Sequence, residues 1–247
     1  MNSRLITTWW TMKVNLTLPK LQKPIWATAG DRPATLNVVC VMWGDKYPMH
    51  YIDRLYAAVE RNLPADLNYQ FYCITDRDVT GVITIKPKNN WPIWWNKMNM
   101  FDVDIMPTGP TLYIDLDSVI VDSLEPVIRA KAEEPLIIVE NFSMNKAHCA
   151  HNSSVMLFDV RDLGIQALHE AFVEDADRVI AGLHGDQCAI WRILRDNIAN
   201  FDKSLIVSYK YHCRGKALPH NARAVIFHGK PDPHEVRDPW VAQHWKT

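Results

Sequence analysis

The sequence predicts a domain of the α/β class, and three features carry that expectation. Asn37-Val38-Val39-Cys40-Val41-Met42 is a continuous apolar run, the pattern of a strand buried on both faces of a parallel sheet. An amphipathic helix follows, with Ile52, Leu55, Tyr56 and Val59 at i, i+3, i+4 and i+7. Tyr69-Gln70-Phe71-Tyr72-Cys73-Ile74 then forms a second strand, and a β-α-β rhythm of this kind builds a sheet through right-handed crossovers.

The elements continue in order. Gly44 and Asp45 break the first strand, Asn62, Leu63 and Pro64 close the first helix, and Thr75-Asp76 ends the second strand. Further strands are expected at Val82 to Ile85, Leu112 to Ile114, Leu136 to Val139, Val155 to Phe158 and Val225 to Phe227. Helices are expected over residues 97–104, 165–181 and 186–199, the last with Cys188, Trp191, Ile193 and Leu194 on its buried face. Residues 1–35 read differently: Trp9, Trp10 and Trp26 lie among Thr, Lys and Pro, with breaks at Pro19, Pro24, Gly30 and Pro33. This segment is an arm packed through its tryptophans or a partly disordered leader. Residues 36–247 make one domain, and 247 residues suffice for one full-sized α/β domain rather than two.

Composition excludes some classes. With 48% hydrophobic and 22% charged residues, the chain is an ordinary globular sequence. A net charge of −1 gives no global sign of a nucleic-acid or membrane partner. Locally, Lys210, Arg214, Lys216, Arg223, Lys230, Arg237 and Lys246 outnumber Asp232, Glu235 and Asp238, a bias that suits a phosphate-facing surface or a solvated basic face. The five cysteines, Cys40, Cys73, Cys149, Cys188 and Cys213, lack CxxC spacing and read as reduced thiols of a cytoplasmic protein. No stretch approaches the roughly 18 apolar residues of a membrane span, and the N-terminus lacks a signal-peptide core.

The most informative segment is Thr111-Leu112-Tyr113-Ile114-Asp115-Leu116-Asp117-Ser118-Val119. Alternation along a strand sends Asp115 and Asp117 from one face and Leu116 from the other. Two carboxylates side by side repel, and a divalent cation removes that cost. Three readings fit: a capped strand end with solvated carboxylates, the first motif of a haloacid-dehalogenase-like phosphatase, or the DxD motif of a glycosyltransferase. The phosphatase pattern also wants a late GDxxxD pair, and here Gly185-Asp186 is followed by Ile190 where the second aspartate should stand. A sugar-phosphate nucleotidyltransferase would open on a Gly-rich GxGxRxxP segment, which the sequence lacks.

Taken with the rest of the chain, the motif resembles the GT-A glycosyltransferases, particularly the family-8 group of galactosyltransferases and glycogenin-like enzymes. Tyr113-Ile114-Asp115-Leu116-Asp117 followed by Val121-Asp122-Ser123-Leu124 looks like that group's strand, DxD and exit. Trp94-Trp95-Asn96-Lys97-Met98-Asn99-Met100-Phe101 resembles the helix before it, and His151-Asn152-Ser153-Ser154-Val155 the donor-sugar segment. Gly185-Asp186-Gln187 is similar to the DQ segment, and Phe227-His228-Gly229-Lys230-Pro231 to a shortened HxGxxKPW element. The resemblance implies a GT-A fold, a mixed Rossmann-like central sheet flanked by helices.

It also implies a division of labour. Asp115 and Asp117, or one of them with the other on the ribose, would hold the metal with His228, the ion being Mn²⁺ or Mg²⁺ and the imidazole favouring Mn²⁺. The metal would take up negative charge on the departing diphosphate. Lys97 and Lys230 would neutralise that diphosphate. Trp43, Gly44, Asp45 and Tyr47, with Asp76 as a further candidate, would hold the nucleotide; Gly44-Asp45 also fits any tight turn after a strand. Asn152 and Ser153 would contact the donor sugar. Asp186 and Gln187 would lie near the reaction centre, and Asp186 also suits a helix N-cap. A UDP-sugar donor and retention of configuration are implied, while an inverting enzyme would need a carboxylate base, for which Asp186 or Glu140 could serve. The acceptor is a glycan, a lipid-linked glycan or a hydroxymethylated base of phage DNA, the last on the basic C-terminal segment around Tyr209-Lys210-Tyr211-His212-Cys213-Arg214. A catalytically silent sugar-nucleotide-binding protein is the remaining alternative.

Overall fold

A computed structural model describes residues 35–143 and 149–247. The expected arm over residues 1–35 lies outside the described residues apart from Thr35. Alternating burial on the central strands sets the architecture. In β1 (Leu36–Met42), Leu36, Val38, Cys40 and Met42 enter one apolar cluster while Val39 enters another on the opposite face. A strand buried on both faces must be apolar throughout, which is why the run is continuous.

β1 pairs in parallel with β2 (Tyr69–Thr75), and β2 carries the short edge strand β3 (Ile83–Ile85). On its other side β1 pairs in parallel with β4 (Pro110–Ile114). Next comes β7 (His151–Asp159), antiparallel to β4, then β6 (Leu136–Glu140) and the edge strand β8 (Ile198–Asn200). The order is β3-β2-β1-β4-β7-β6-β8, with β7 the reversed strand. A smaller sheet is formed by β5 (Ser118–Ile120), β10 (Ala224–Ile226) and β9 (Ile206–Ser208), in the order β5-β10-β9.

One face of the large sheet is covered by α1 (His50–Asn62), the small sheet and residues of α6 (Pro239–His244). The other is covered by a 3₁₀ segment (Ile93–Phe101), α3 (Leu163–Glu174) and α5 (Asp186–Leu194). On this second face Phe172 of α3 is the anchor. Trp91 meets it edge-on with centroids 4.8 Å apart, and Trp95 stacks on it at 5.7 Å. Buried Asn99 completes the tether, its side chain accepting from the Asn89 backbone N–H and donating to the Asn89 carbonyl, both at 3.0 Å.

The helical boundaries differ from the sequence expectation in three places. The helix expected over 97–104 is the 3₁₀ segment Ile93–Phe101, and Pro92, which lacks an N–H donor, sits at its N-cap. The helix expected over 165–181 is two helices, α3 and α4 (Ala176–Gly182), separated at Asp175. The helix expected over 186–199 stops at Leu194, where Arg195 takes φ +56°, and the chain turns into β8. The aspartate motif also departs from the simple strand picture. β4 ends at Ile114, and Asp115-Leu116-Asp117 form a turn closed by the Ser118 N–H donating to the Asp115 carbonyl at 3.1 Å. Both carboxylates therefore leave a turn at the carboxyl end of a parallel strand. All five cysteines are buried thiols outside any disulfide, and Cys40 lies opposite Cys73 in the β1–β2 register. No helix among the described residues is long and apolar enough to cross a membrane.

Phe172 is fully buried, and Phe172→Ala leaves a cavity between two tryptophans. The substitution is expected to lower unfolding stability by about 3–5 kcal/mol in urea denaturation. A loss below about 1 kcal/mol would show that the 3₁₀ segment is not anchored there.

Candidate active site

The carboxyl ends of β1 and β4 open into a cavity of about 410 Å³. Ligand sites of open α/β sheets lie at such strand ends because the loops that leave them converge there. β1 delivers Trp43, Lys46 and Tyr47, and β4 delivers Asp115, Leu116 and Asp117. The reversed strand β7 brings Asn152, Ser153 and Ser154 alongside, fixed by the Asp115 N–H donating to the Ser154 carbonyl at 2.8 Å. The start of α5 adds Gly185, Asp186 and Gln187, the 3₁₀ segment adds Ile93, Trp94 and Lys97, and the chain after β10 adds Phe227, His228 and Gly229.

Lys97 is the electrostatic centre. Its side chain is only 13% exposed, with Nζ 2.7 Å from Asp115 Oδ1 and 3.9 Å from Asp186 Oδ2. It also donates to Ser153 Oγ at 3.4 Å. Burial opposes the ammonium, but Asp115 and Asp186 outweigh it and hold the group above the usual lysine value. Asp186 is itself buried, and burial pushes its carboxyl up against the lowering effect of Lys97. Its Oδ2 has no hydrogen-bond partner among the described residues.

Asp117 is held differently. Tyr47 Oη donates to its Oδ2 at 2.6 Å, and Tyr113 Oη donates to Asp115 Oδ1. Burial and then the neighbouring Asp115 push the Asp117 carboxyl up to about 7. The Tyr47 ring stacks on Tyr51 at 4.7 Å, and Lys46 Nζ lies 4.3 Å over it. Tyr51 continues the chain, its Oη 2.6 Å from His234 Nδ1.

A divalent cation fits the carboxylates. The hydrogen bonds they accept fall on one oxygen of each, Oδ1 of Asp115 and Oδ2 of Asp117. Burial first and the neighbouring Asp115 second raise the Asp117 carboxyl, and a cation between the two would offset both. His228 borders the same cavity. Burial and then Lys210 lower its imidazole to about 4, so it is neutral at pH 7 as a ligand must be. Its Nε2 lies 2.7 Å from Ser208 Oγ, and its ring stacks between Phe142 and Tyr211 at 5.7 and 5.8 Å. The ligand atoms of Asp115, Asp117 and His228 do not lie within 4.8 Å of one another.

Among the described residues, the group that does converge so closely is Asp232, His234 and Glu235. Their atoms are already engaged. Lys230 Nζ bonds Asp232 Oδ2 at 2.7 Å and Glu235 Oε1 at 2.9 Å, and Glu235 Oε2 accepts from the Asp232 N–H at 2.7 Å in a capping box.

The structure therefore gathers Trp43, Tyr47, Lys97, Asp115, Asp117, Asn152, Ser153, Asp186, Gln187 and His228 around one cavity. Four sequence candidates do not border it. Gly44 turns the chain at φ +63°, Asp45 is exposed and paired with Arg77, Asp76 is exposed, and Lys230 is held by Asp232 and Glu235. Sequence reasoning gave no role of their own to Ile93, Trp94 and Tyr113, which border the cavity. Tyr113 was legible from its place two residues before Asp115, the spacing that lets its hydroxyl reach back to that carboxylate.

A seven-stranded sheet with one reversed strand, a small companion sheet and a carboxylate-lined cavity at the strand ends define a fold of the GT-A class. Solved structures of that architecture resemble this chain. An active-site mutant of LgtC aligns with a TM-score of 0.62 at 14% identity, covering 84% of this chain and 93% of that one. The galactosyltransferase LgtC in complex with donor and acceptor sugar analogues gives 0.61 at 13%, with 85% and 97% covered. The glycosyltransferase GlyE of Streptococcus pneumoniae gives 0.61 at 15%, with 80% and 56% covered. At such identities the likeness establishes the fold. No protein-family model and no curated protein matches the sequence.

The raised Asp117 carboxyl has a stability consequence. Its ordinary value is 3.8 and its folded value about 7, so folding takes up a proton between those limits. The contribution is fully present below about 4 and is lost as pH rises through 7. In metal-free buffer at pH 8, Asp117→Asn is expected to be more stable than wild type by on the order of 2–4 kcal/mol. The gap closes below pH 4. Equal urea stability of the two proteins at pH 8 would contradict the assigned cost of burial and repulsion.

Proposed function

We propose that this chain is a metal-dependent glycosyltransferase that moves a sugar from a nucleotide-diphosphate donor, with a UDP-sugar favoured, to a hydroxyl acceptor. The observation that carries the reading is the set of buried Asp117 and Asp186 with half-buried Asp115 around the Lys97 ammonium, in a cavity at the carboxyl ends of parallel strands. Solvated structural carboxylates have no reason to be buried at this cost. The glycosyltransferase structures that share the fold support the same reading.

In this reading Asp115 and Asp117 hold Mn²⁺ or Mg²⁺, with the neutral His228 imidazole as a further donor. When bound, the cation supplies Lewis-acid stabilisation of charge on the diphosphate. Trp43 borders the nucleotide, Lys97 fixes the orientation of Asp115 and Asp186, and Asn152, Ser153 and Gln187 bond sugar hydroxyls. The acceptor oxygen forms a bond to the anomeric carbon as the carbon–oxygen bond to the diphosphate breaks, and the leaving group takes the electron pair. With retention of configuration the acceptor proton passes to the departing phosphate oxygen; with inversion Asp186 accepts it. The phosphatase alternative lacks support at the late acidic pair, because Ile190 is fully buried in the core. The nucleotide role of Asp45 and Asp76 and the diphosphate role of Lys230 would require their side chains to move.

Thermal melting with UDP, GDP, CDP or inorganic phosphate, each with Mn²⁺ or EDTA, tests the reading. One nucleoside diphosphate is expected to raise the melting temperature by several degrees only with the metal, and Asp115→Asn abolishes the rise. No shift with any nucleotide, or release of inorganic phosphate from a phosphomonoester, would contradict it.

A further inference from the structure

Two large apolar side chains are left exposed at the cavity, Ile93 at 61% and Trp94 at 45%. Their neighbours are not. Trp91 and Trp95 are buried on Phe172, so of the three tryptophans in this segment Trp94 alone is presented to the cavity. The backbone is bent to achieve this. Ile93 has φ +51°, a conformation that β-branched residues avoid, and such strain persists only where the surroundings impose it. Asn96, fully buried, imposes it by donating its amide to the carbonyls of Trp91 and Ile93. Opposite, Gly185 leaves room for the indole: a Cβ there would lie 3.2 Å from Trp94 Nε1.

The geometry points to Ile93 and Trp94 as the acceptor platform, binding the apolar C–H face of a neutral hexopyranoside; this rests on the transferase reading above. An indole face and a branched aliphatic chain offer a flat apolar surface at low entropic cost. The polar side of the same ring meets acceptors. Asp186 and Gln187, which follow Gly185, line the same cavity with side chains that can hydrogen-bond sugar hydroxyls.

Charge weighs against a nucleic-acid acceptor. The cavity carries Asp115, Asp117 and Asp186 against Lys46 and Lys97, with Lys210 at its Gly229 edge, and Lys97 is already spent on two of the carboxylates. A donor diphosphate arrives with its own cation, whereas a phosphate backbone at the rim brings further negative charge to an acidic site. A neutral polyol carries none of that repulsion.

Saturation-transfer NMR on the full chain with Mg²⁺ tests the platform, using methyl β-galactoside, methyl β-glucoside, lactose and a ten-residue oligothymidine, with UDP, GDP and CDP measured alongside. At least one pyranoside is expected to show transfer to its ring C–H protons. Its affinity falls at least tenfold in Trp94→Ala and less in Trp94→Phe, with circular dichroism confirming that both variants are folded. Pyranoside binding within twofold of wild type in Trp94→Ala, no pyranoside signal, or an oligothymidine signal in its place overturns the proposal. A Trp94-dependent pyranoside signal without any nucleotide signal upholds the platform and sinks the transfer reading.

Discussion

The contact between the Lys97 ammonium and the Asp115 and Asp186 carboxylates is the constraint on which the rest of the site depends. It joins three segments that are far apart in sequence: the 3₁₀ segment, the turn after β4 and the first turn of α5. Burying such charges is expensive unless each finds a partner, and removing one partner leaves the others uncompensated. The surrounding structure holds the ammonium in place from below. Trp95 stacks on Phe172, Asn96 and Asn99 clamp the segment, and Lys97 emerges between them toward the carboxylates. Asp117 is the charge that the lysine does not directly neutralise. Its carboxyl is steadied by the Tyr47 hydroxyl, and Tyr47 is backed by Tyr51, whose hydroxyl reaches His234.

The arrangement costs stability where ligand chemistry is expected. Three carboxylates share a cavity with one buried lysine, and beside them Ile93 takes an unfavourable backbone conformation with its side chain in solvent. Neither feature serves the core, whose two apolar clusters close over the sheet without them. Local rules of folding are broken at sites that must recognise something else, and here the broken rules converge on one cavity.

Much of this was legible in the sequence. β1 and β2 were readable because both faces of each are buried, which leaves uninterrupted apolar runs. The paired aspartates stood out because charge at the end of such a run is costly. Short strands were legible only in part: β3 and β10 were expected, whereas β5, β8 and β9, also of three residues, were too short to show a period. Partnerships across long separations were equally hidden. Tyr47 and Asp117 are 70 residues apart, and nothing local in either segment announces their bond. Lys230 is the opposite case. Its acids, Asp232 and Glu235, lie two and five residues on, so their claim on its ammonium was readable nearby. The exposure of Trp94 beside buried Trp91 and Trp95 was not legible either, and it goes with a positive φ at Ile93 that no local pattern announces.

The proposal stands on Asp115 and Asp117 holding a cation beside a diphosphate at the end of β4. The most direct test is anomalous diffraction from crystals grown with Mn²⁺ and a nucleoside diphosphate. The account predicts a manganese peak within about 2.0–2.4 Å of a carboxylate oxygen of at least one of the two aspartates. A manganese peak at Asp232, His234 and Glu235 with none at Asp115 or Asp117 would contradict it.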